Sequence, residues 1–385
     1  MNEILWLLLP VAAASGWLLA KRDAQRNAAA PSLSRDYFTG LNYLLNEQPD
    51  KAIECFVRML EVDSDTVEIH LALGNLFRQR GEVDRAIRIH QNLIARPTLN
   101  GSQRAQALLE LAQDYMRAGL LDRAEGLCHE LTEMDVHLPR ALAMLSDIYQ
   151  QEKEWEQAIE AARRLQAVTG QAMEPMIAQF YCEQAEHARE QGDVEHATRL
   201  LKKALASDEH CVRASMIRGE LAAAAGDCKG AIRAYQQVEL QDPAYLPEII
   251  APLMNCYRAR GDNQELFAYL EGLWSRHGGV TALLCLTDLV GREQGDAAAL
   301  AFLAAQLTRR PSLRGLAHIM DMAPANETAA AEKLEIAHTT LLQLLEEKPV
   351  YQCVRCGFAG KALHWRCPGC KYWNTVKPIT GIEGE

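Results

Sequence analysis

Four cysteines near the C-terminus carry the clearest chemical signal in the sequence: Cys353-Val354-Arg355-Cys356 and Cys367-Pro368-Gly369-Cys370. Two residues between cysteines let one tight turn aim both sulfurs at a single ion, while backbone N–H groups of the turn donate to the thiolates. The residues between the pairs form a short hairpin-like excursion that sets two such turns face to face. Four thiolates make a tetrahedral site suited to one zinc or one iron ion. The excursion is shorter than the roughly 15–20 residues common in zinc ribbons. A segment of about 35 residues has too small a core to hold itself together, so the ion supplies much of its folding energy. His364 lies between the pairs as an alternative ligand, although four cysteines already complete the set. Trp365, Tyr372 and Trp373 are expected to form the miniature core of this segment.

No other residues converge on chemistry. Cys55, Cys128, Cys182, Cys211, Cys228, Cys256 and Cys285 are scattered at helical positions without paired spacing and read as small buried hydrophobes. A disulfide framework is disfavoured by the reducing compartment inferred below. His129-Glu130 and His187 fit no H-E-x-x-H metalloprotease pattern, and no G-x-x-x-x-G-K-[ST] phosphate loop is present. With no nucleophile, base or open metal position in view, the chain reads as a non-enzyme.

The elements that must position the cysteines are helices. Aromatic residues are only 6% of 385 while alanine and leucine abound, which favours stacked helices over sheets. The net charge of −11 argues against a body that coats nucleic acid or anionic lipid. From about Arg35 an acidic–x–Ala–apolar pattern recurs, loosely in places, at Ala52, Ala86, Ala124, Ala158, Ala197 and Ala231, with Lys229 in the acidic position of the sixth unit, and Leu266 and Leu300 fill the same slot further on. Successive spacings are 34, 38, 34, 39, 34, 35 and 34 residues. Such a period marks a helix–turn–helix unit stacked along a solenoid. Gly81, Gly119, Gly192, Gly226, Gly261 and Gly295 precede the slot by five residues, where glycine can end a helix in the left-handed conformation. Asp193, Asp227, Asp262 and Asp296 follow four of them and are suited to starting the next helix.

The two longer spacings place extra residues around Pro97–Gly101 and Thr169–Glu174. Beyond Pro311 the register fades, and Met320 to Ala330 reads as a loop. A last apolar helix, with Leu334, Ile336, Ala337, Leu341, Leu344 and Leu345, is expected to cap the array before Pro349 stops it.

At the other end, Ile4 to Ala20 holds no charged residue. As a helix it reaches about 25 Å, slightly short of the ~30 Å hydrocarbon core. Trp6 and Trp17 suit the water–lipid boundary, and Lys21 and Arg22 can snorkel. Only Glu3 precedes the run, whereas Lys21, Arg22 and Arg26 follow it, so positive charge holds the C-terminal side in the cytoplasm. A cleaved signal peptide is the rival reading, with Ala12-Ala13-Ala14 as its processing site, but Met1-Asn2-Glu3 supplies no basic n-region. The organisation is thus a transmembrane anchor (1–20), a basic juxtamembrane linker (21–34), helical repeats (35–348, about eight to nine pairs) and a metal-binding domain (349–385).

The repeat positions, together with Leu73, Gly74, Phe77, Leu111, Tyr115, Leu145, Tyr149, Gly219, Tyr235 and Pro243, resemble the tetratricopeptide family, which implies an all-α superhelical solenoid whose concave face grips peptides or proteins. The Cys-x-x-Cys-Gly and Cys-Pro-x-Cys runs resemble rubredoxin-type knuckles, with Lys371 in place of the glycine that usually follows the last cysteine. In this order and size, the whole chain resembles the lipopolysaccharide assembly protein B family. That resemblance implies a regulator of lipopolysaccharide biosynthesis, single-pass in the bacterial inner membrane with its N-terminus periplasmic and its bulk cytoplasmic. It further implies that the protein promotes degradation of the lipid A-committing UDP-acyl-N-acetylglucosamine deacetylase by the membrane-bound ATP-dependent zinc protease, and organises other lipopolysaccharide assembly proteins. The knuckle is then expected to dock onto the repeats, with Cys353, Cys356, Cys367 and Cys370 as ligands in a structural role. A homodimer stays open.

Two rivals come from other classes. One is a tethered rubredoxin-like electron carrier, since iron held by four thiolates can cycle between oxidation states. The other is a zinc-ribbon nucleic-acid binder, for which Arg355, Lys361, Arg366, Lys371 and Lys377 against Glu383 and Glu385 make too sparse a basic tail.

Overall fold

The structure, a computed structural model, describes residues 35–46, 48–62, 67–322, 329–382 and 384–385. The expected anchor and basic linker lie outside these residues, and among the described ones no helix is long and apolar enough to cross a membrane. Helices follow in pairs. They are α1 (Arg35–Leu45) with α2 (Pro49–Val62), α3 (Val67–Gln79) with α4 (Val83–Ile94), α5 (Gly101–Ala118) with α6 (Leu121–Glu133), and α7 (Leu138–Glu152) with α8 (Trp155–Thr169). Then come α9 (Glu174–Glu190) with α10 (Val194–Ser207), α11 (Val212–Ala224) with α12 (Cys228–Gln241), α13 (Leu246–Arg260) with α14 (Asn263–His277), and α15 (Val280–Gln294) with α16 (Asp296–Arg309). α17 (Leu313–Met322) and α18 (Ala329–Glu347) complete the helical part. Three short strands end the chain: β1 (Tyr351–Cys353), β2 (Ala359–Gly360) and β3 (Val376–Pro378), antiparallel in the order β2-β1-β3. The described residues divide into two compact units, one ending at Ile148 and the other beginning at Tyr149.

Close packing within each pair explains the repeating slot. Ala52, Ala86, Ala124, Ala158, Ala197, Ala231 and Leu266 are all fully buried. In three pairs a glycine on the first helix faces a ring sixteen residues later on the second: Gly40 under Phe56, Gly74 under His90 and Gly219 under Tyr235. A Cβ on any of these glycines would overlap the ring. Small residues thus admit large ones, and the paired helices approach closely. The turns follow the same economy. Gly81, Gly119, Gly192, Gly226 and Gly261 adopt φ between 74° and 84°. Lys153 takes the equivalent place between α7 and α8 at φ 62°. Asp193 and Asp227 cap their helices, each accepting from a backbone N–H three residues on at 2.9 Å. Asp262 makes no such bond, and Asp296 lies inside α16.

The last pair departs from the expected register. A single residue, Gly295, joins α15 to α16, where other turns use two or three. The helix therefore starts early, and Ala299 rather than Leu300 is the fully buried slot. Met320–Met322 and Ala329–Ala330 are helical rather than loop, as parts of α17 and α18. The expected terminal helix forms, but Leu334, Ile336 and Leu344 on it are exposed. It is not the sealed cap that its apolar content suggested. The longer spacings do hold extra loop: Asn100 and Gln103 form a reciprocal capping box at the start of α5, and Gly170 ends α8 in the left-handed conformation.

Residues 35–148 also bury an ionic network that periodicity does not announce. Arg78 on α3 reaches Asp114 and Glu110 on α5, each at 2.7 Å. The second Asp114 oxygen lies 2.5 Å from Nδ1 of His90 on α4, and both of these side chains are fully buried. Three helices are pinned by one carboxylate. In the other unit, α11 to α15 build a continuous core around Tyr235, Tyr245, Ile249, Leu253, Tyr257 and Leu266, and the knuckle rests on it.

Candidate metal centre and its docking face

The two Cys-x-x-Cys turns are copies of each other. In the first, the Cys353 N–H donates to the Phe358 carbonyl (2.7 Å) and the Gly357 N–H to the Cys353 carbonyl (3.0 Å). In the second, the Cys367 N–H donates to the Tyr372 carbonyl and the Lys371 N–H to the Cys367 carbonyl, both at 2.9 Å. Gly357 has φ 76° and Lys371, its counterpart, φ 62°. Lysine therefore accepts the strain that glycine avoids, and the departure from the usual motif leaves the loop geometry intact. β1 delivers Cys353, and the isolated bridge between Arg366 and Trp373 closes the second turn.

All four sulfurs lie within 4.8 Å of one another, and no other group of three or more potential ligands forms among the described residues. Cys353 Sγ is 3.8 Å from Cys370 Sγ, and Cys356 Sγ is 3.6 Å from Cys367 Sγ. A tetrahedron with metal–sulfur bonds of about 2.3 Å has edges of about 3.8 Å, so the donor set fits a single ion. Burial opposes ionisation of Cys353, but the Thr375 hydroxyl, 3.4 Å away, and the Cys356 and Arg355 amides pull its thiol down to about 6. The Phe358 amide favours the Cys356 thiolate, yet burial and the neighbouring sulfurs push that thiol up to about 11. Negative charge crowded among four sulfurs is the condition a bound cation relieves. His364 is outside the cluster; its ring packs against Phe358 at 6.0 Å.

The expected aromatic core of the knuckle is corrected by the structure. Cys353, Cys367 and Val376 fill the small interior, with Tyr351, Phe358 and Leu363 around them. Trp365 and Trp373 point instead at the helices. Trp365 stacks on Tyr245 with centroids 5.4 Å apart. Trp373 meets Phe180 and Trp155 edge-on at 6.0 and 6.4 Å, and its Nε1–H donates to Gln150 Oε1 at 2.9 Å. Tyr372 is nearly half exposed, with the Arg355 guanidinium over its ring. A module this small has no interior large enough for an indole, so its tryptophans are partly covered by the surface they dock against.

Polar contacts fix the orientation of that docking. The Tyr245 hydroxyl, buried at the start of α13, donates toward Asn374 Oδ1 (2.8 Å) and the Val376 carbonyl (3.1 Å). Tyr351 donates to Glu248 (2.7 Å), and Lys377 pairs with Asp242 (2.7 Å). Beneath both indoles lies Arg213 of α11, about 3% exposed, its charge balanced by Glu183 (2.9 Å) and Glu186 (2.5 Å) of α9. Glu385 binds Thr281 and Arg314.

Of the seven cysteines read as packing residues, Cys55, Cys128, Cys182, Cys211 and Cys256 are buried. Burial, aided by Glu125, pushes the Cys128 thiol up to about 12. Cys182 and Cys211, however, do come together across two helices. Sequence separation hid this pair, and the Arg213 cluster has no motif by which it could have been found.

Fold and site define a class: a tetratricopeptide-repeat array carrying a docked four-cysteine knuckle. Comparison with known proteins agrees. The family described as a rubredoxin metal binding domain matches residues 351–378, and tetratricopeptide repeat families match residues 69–103 and 182–245. The chain is 41% identical over 388 residues to Lipopolysaccharide assembly protein B of Escherichia coli strain K12, and 37% identical over 397 residues to the protein of that name from Haemophilus influenzae, with 100% of each chain covered. It belongs to the lipopolysaccharide assembly protein B family. Among solved structures, the C-terminal part of a tetratricopeptide repeat-containing protein from Cytophaga hutchinsonii is similar at TM-score 0.41 and 14% identity, over 62% of this chain and 94% of that one.

Proposed function

We propose that this protein is a membrane-tethered adaptor that restrains lipopolysaccharide biosynthesis. In this reading the repeats present the lipid A-committing deacetylase to the membrane-bound ATP-dependent zinc protease, and the knuckle stiffens the presenting surface. The observation that carries it is the full-length kinship with proteins named for lipopolysaccharide assembly, joined to a knuckle spent on docking. All four sulfurs of that knuckle face one another, and its tryptophans are committed to the helices, which suits an ion in a structural role. Iron and zinc both satisfy the donor set.

The apolar Ile4–Ala20 segment serves as the tether, with the repeats on the cytoplasmic side. Confinement to one surface raises the effective concentration of two partners without new contacts. Crosslinking in membranes, with and without residues 1–20, tests the reading. The full chain is expected to capture both protease and deacetylase and to shorten the deacetylase lifetime, and the anchorless chain to lose both effects. An anchorless form that keeps its partners and its effect on turnover contradicts tethering.

A further inference from the structure

Cys182 lies in the middle of α9 and Cys211 immediately before α11, far apart in sequence, yet their sulfurs are 3.7 Å apart in the core of residues 149–385. Neither side chain is more than 1% exposed. We propose that Cys182 and Cys211 form a redox-active dithiol, a reversible disulfide-forming site in the helical core that takes hydrogen peroxide, small enough to reach buried sulfurs, as its oxidant.

The two sulfurs are unlike. Cys211 is the N-cap of α11, at the end of the helix whose dipole favours a thiolate. Contact with Cys182, which outweighs burial, together with the Ala214 N–H and the nearby Arg213 charge, lowers the Cys211 thiol, whereas burial first of all raises Cys182 well above its ordinary range. Its place at the helix N-terminus marks Cys211 as the nucleophile and leaves Cys182 to resolve. Unused polar capacity lies alongside. Gln179 Nε2 is 3.6 Å from Cys211 Sγ, while Gln179 Oε1 and, one turn along α11, Ser215 Oγ are buried without hydrogen-bond partners.

The chemistry balances. The Cys211 thiolate attacks one peroxide oxygen, the O–O bond breaks, and hydroxide leaves to take up a proton as water, giving a sulfenic acid. Cys182 sulfur then attacks the Cys211 sulfur. An S–S bond forms, the S–O bond breaks, and the hydroxyl departs with the Cys182 proton as a second water. Two thiols lose two electrons and one hydroperoxide gains them. The sulfurs, now 3.7 Å apart, close to a bond of about 2 Å.

Trypsin places the two cysteines in separate peptides, 165–189 and 204–213, each with a single cysteine. Reduced full-length protein, loaded with zinc and treated with hydrogen peroxide, is alkylated and mapped by mass spectrometry. The expected result is a dithiothreitol-sensitive crosslink between these peptides, several-fold more abundant than in urea-unfolded protein given the same treatment. Cys182→Ala should abolish the crosslink and leave Cys211 trapped by a sulfenic-acid probe, with metal content unchanged. Equal crosslinking in native and unfolded protein overturns the proposal. So does full recovery of both thiols after peroxide in the native wild-type chain, a measurement that requires no variant to fold.

Discussion

A helix pair and the metal knuckle face the same difficulty, since neither is large enough to bury a core alone. They escape it differently. The pair in the middle of the array brings glycine and alanine to its interface so that rings such as Tyr235 can sink against the backbone, and its outer faces are covered by more of the same. The knuckle keeps a few side chains and four sulfurs for itself and lends its two indoles to the helices. Repeats are thus stabilised by short-range copies of one contact. The knuckle depends on an ion within and a foreign surface without, so its failures should be separable from theirs.

The sharpest break in that comparison is Cys353→Ser. Structural metal sites in small modules supply on the order of 10 kcal/mol. The variant should lose its metal and expose residues 351–378 to protease while the helices keep their ellipticity. Unchanged metal stoichiometry in the purified variant would refute this.

Next in size is Trp365→Ala, which removes the stack on Tyr245 and leaves the cysteines untouched. Losing that contact should weaken docking by about 3 kcal/mol. Metal content should hold while tyrosine and tryptophan near-ultraviolet signals drop. Loss of metal from this variant would show that ligation and docking are one event.

Gly219→Ala probes the other side. The new methyl meets the Tyr235 ring, and such overpacking costs about 1–3 kcal/mol. Thermal or urea unfolding should report it, with metal retention unaffected. Smallest is Lys377→Ala, whose partly exposed pair with Asp242 is worth about 0.5 kcal/mol and should fade as salt is raised. An effect as large as that of Trp365→Ala would mean that the docking is electrostatic.

The two regions also differed in how far their residues could be read in advance. Spacing exposes what repeats, so the alanine slot through Leu266 and the glycine turns were legible, as were paired cysteines whose chemistry demands proximity. Leu300 was misplaced because a one-residue turn at Gly295 leaves no trace in composition. Trp365 and Trp373 were misread as interior because sequence gives hydrophobicity but not its direction. The surface that partly covers them, including Gln150, Phe180 and Tyr245, lies more than a hundred residues away. Arg213 belongs with them: a buried cation makes sense only once Glu183, Glu186 and two indoles are seen around it. The Cys182–Cys211 contact escaped for the same reason.

The central claim is that the ion keeps the knuckle seated on the helices. Hydrogen exchange on the full-length protein, before and after the metal is stripped by chelation, tests it most directly. The account predicts faster exchange both in residues 351–378 and at the 242–250 segment against which they dock, with residues 69–133 unchanged. A knuckle that opens on metal loss while 242–250 stays as protected as before, or one that stays closed without metal, would contradict it.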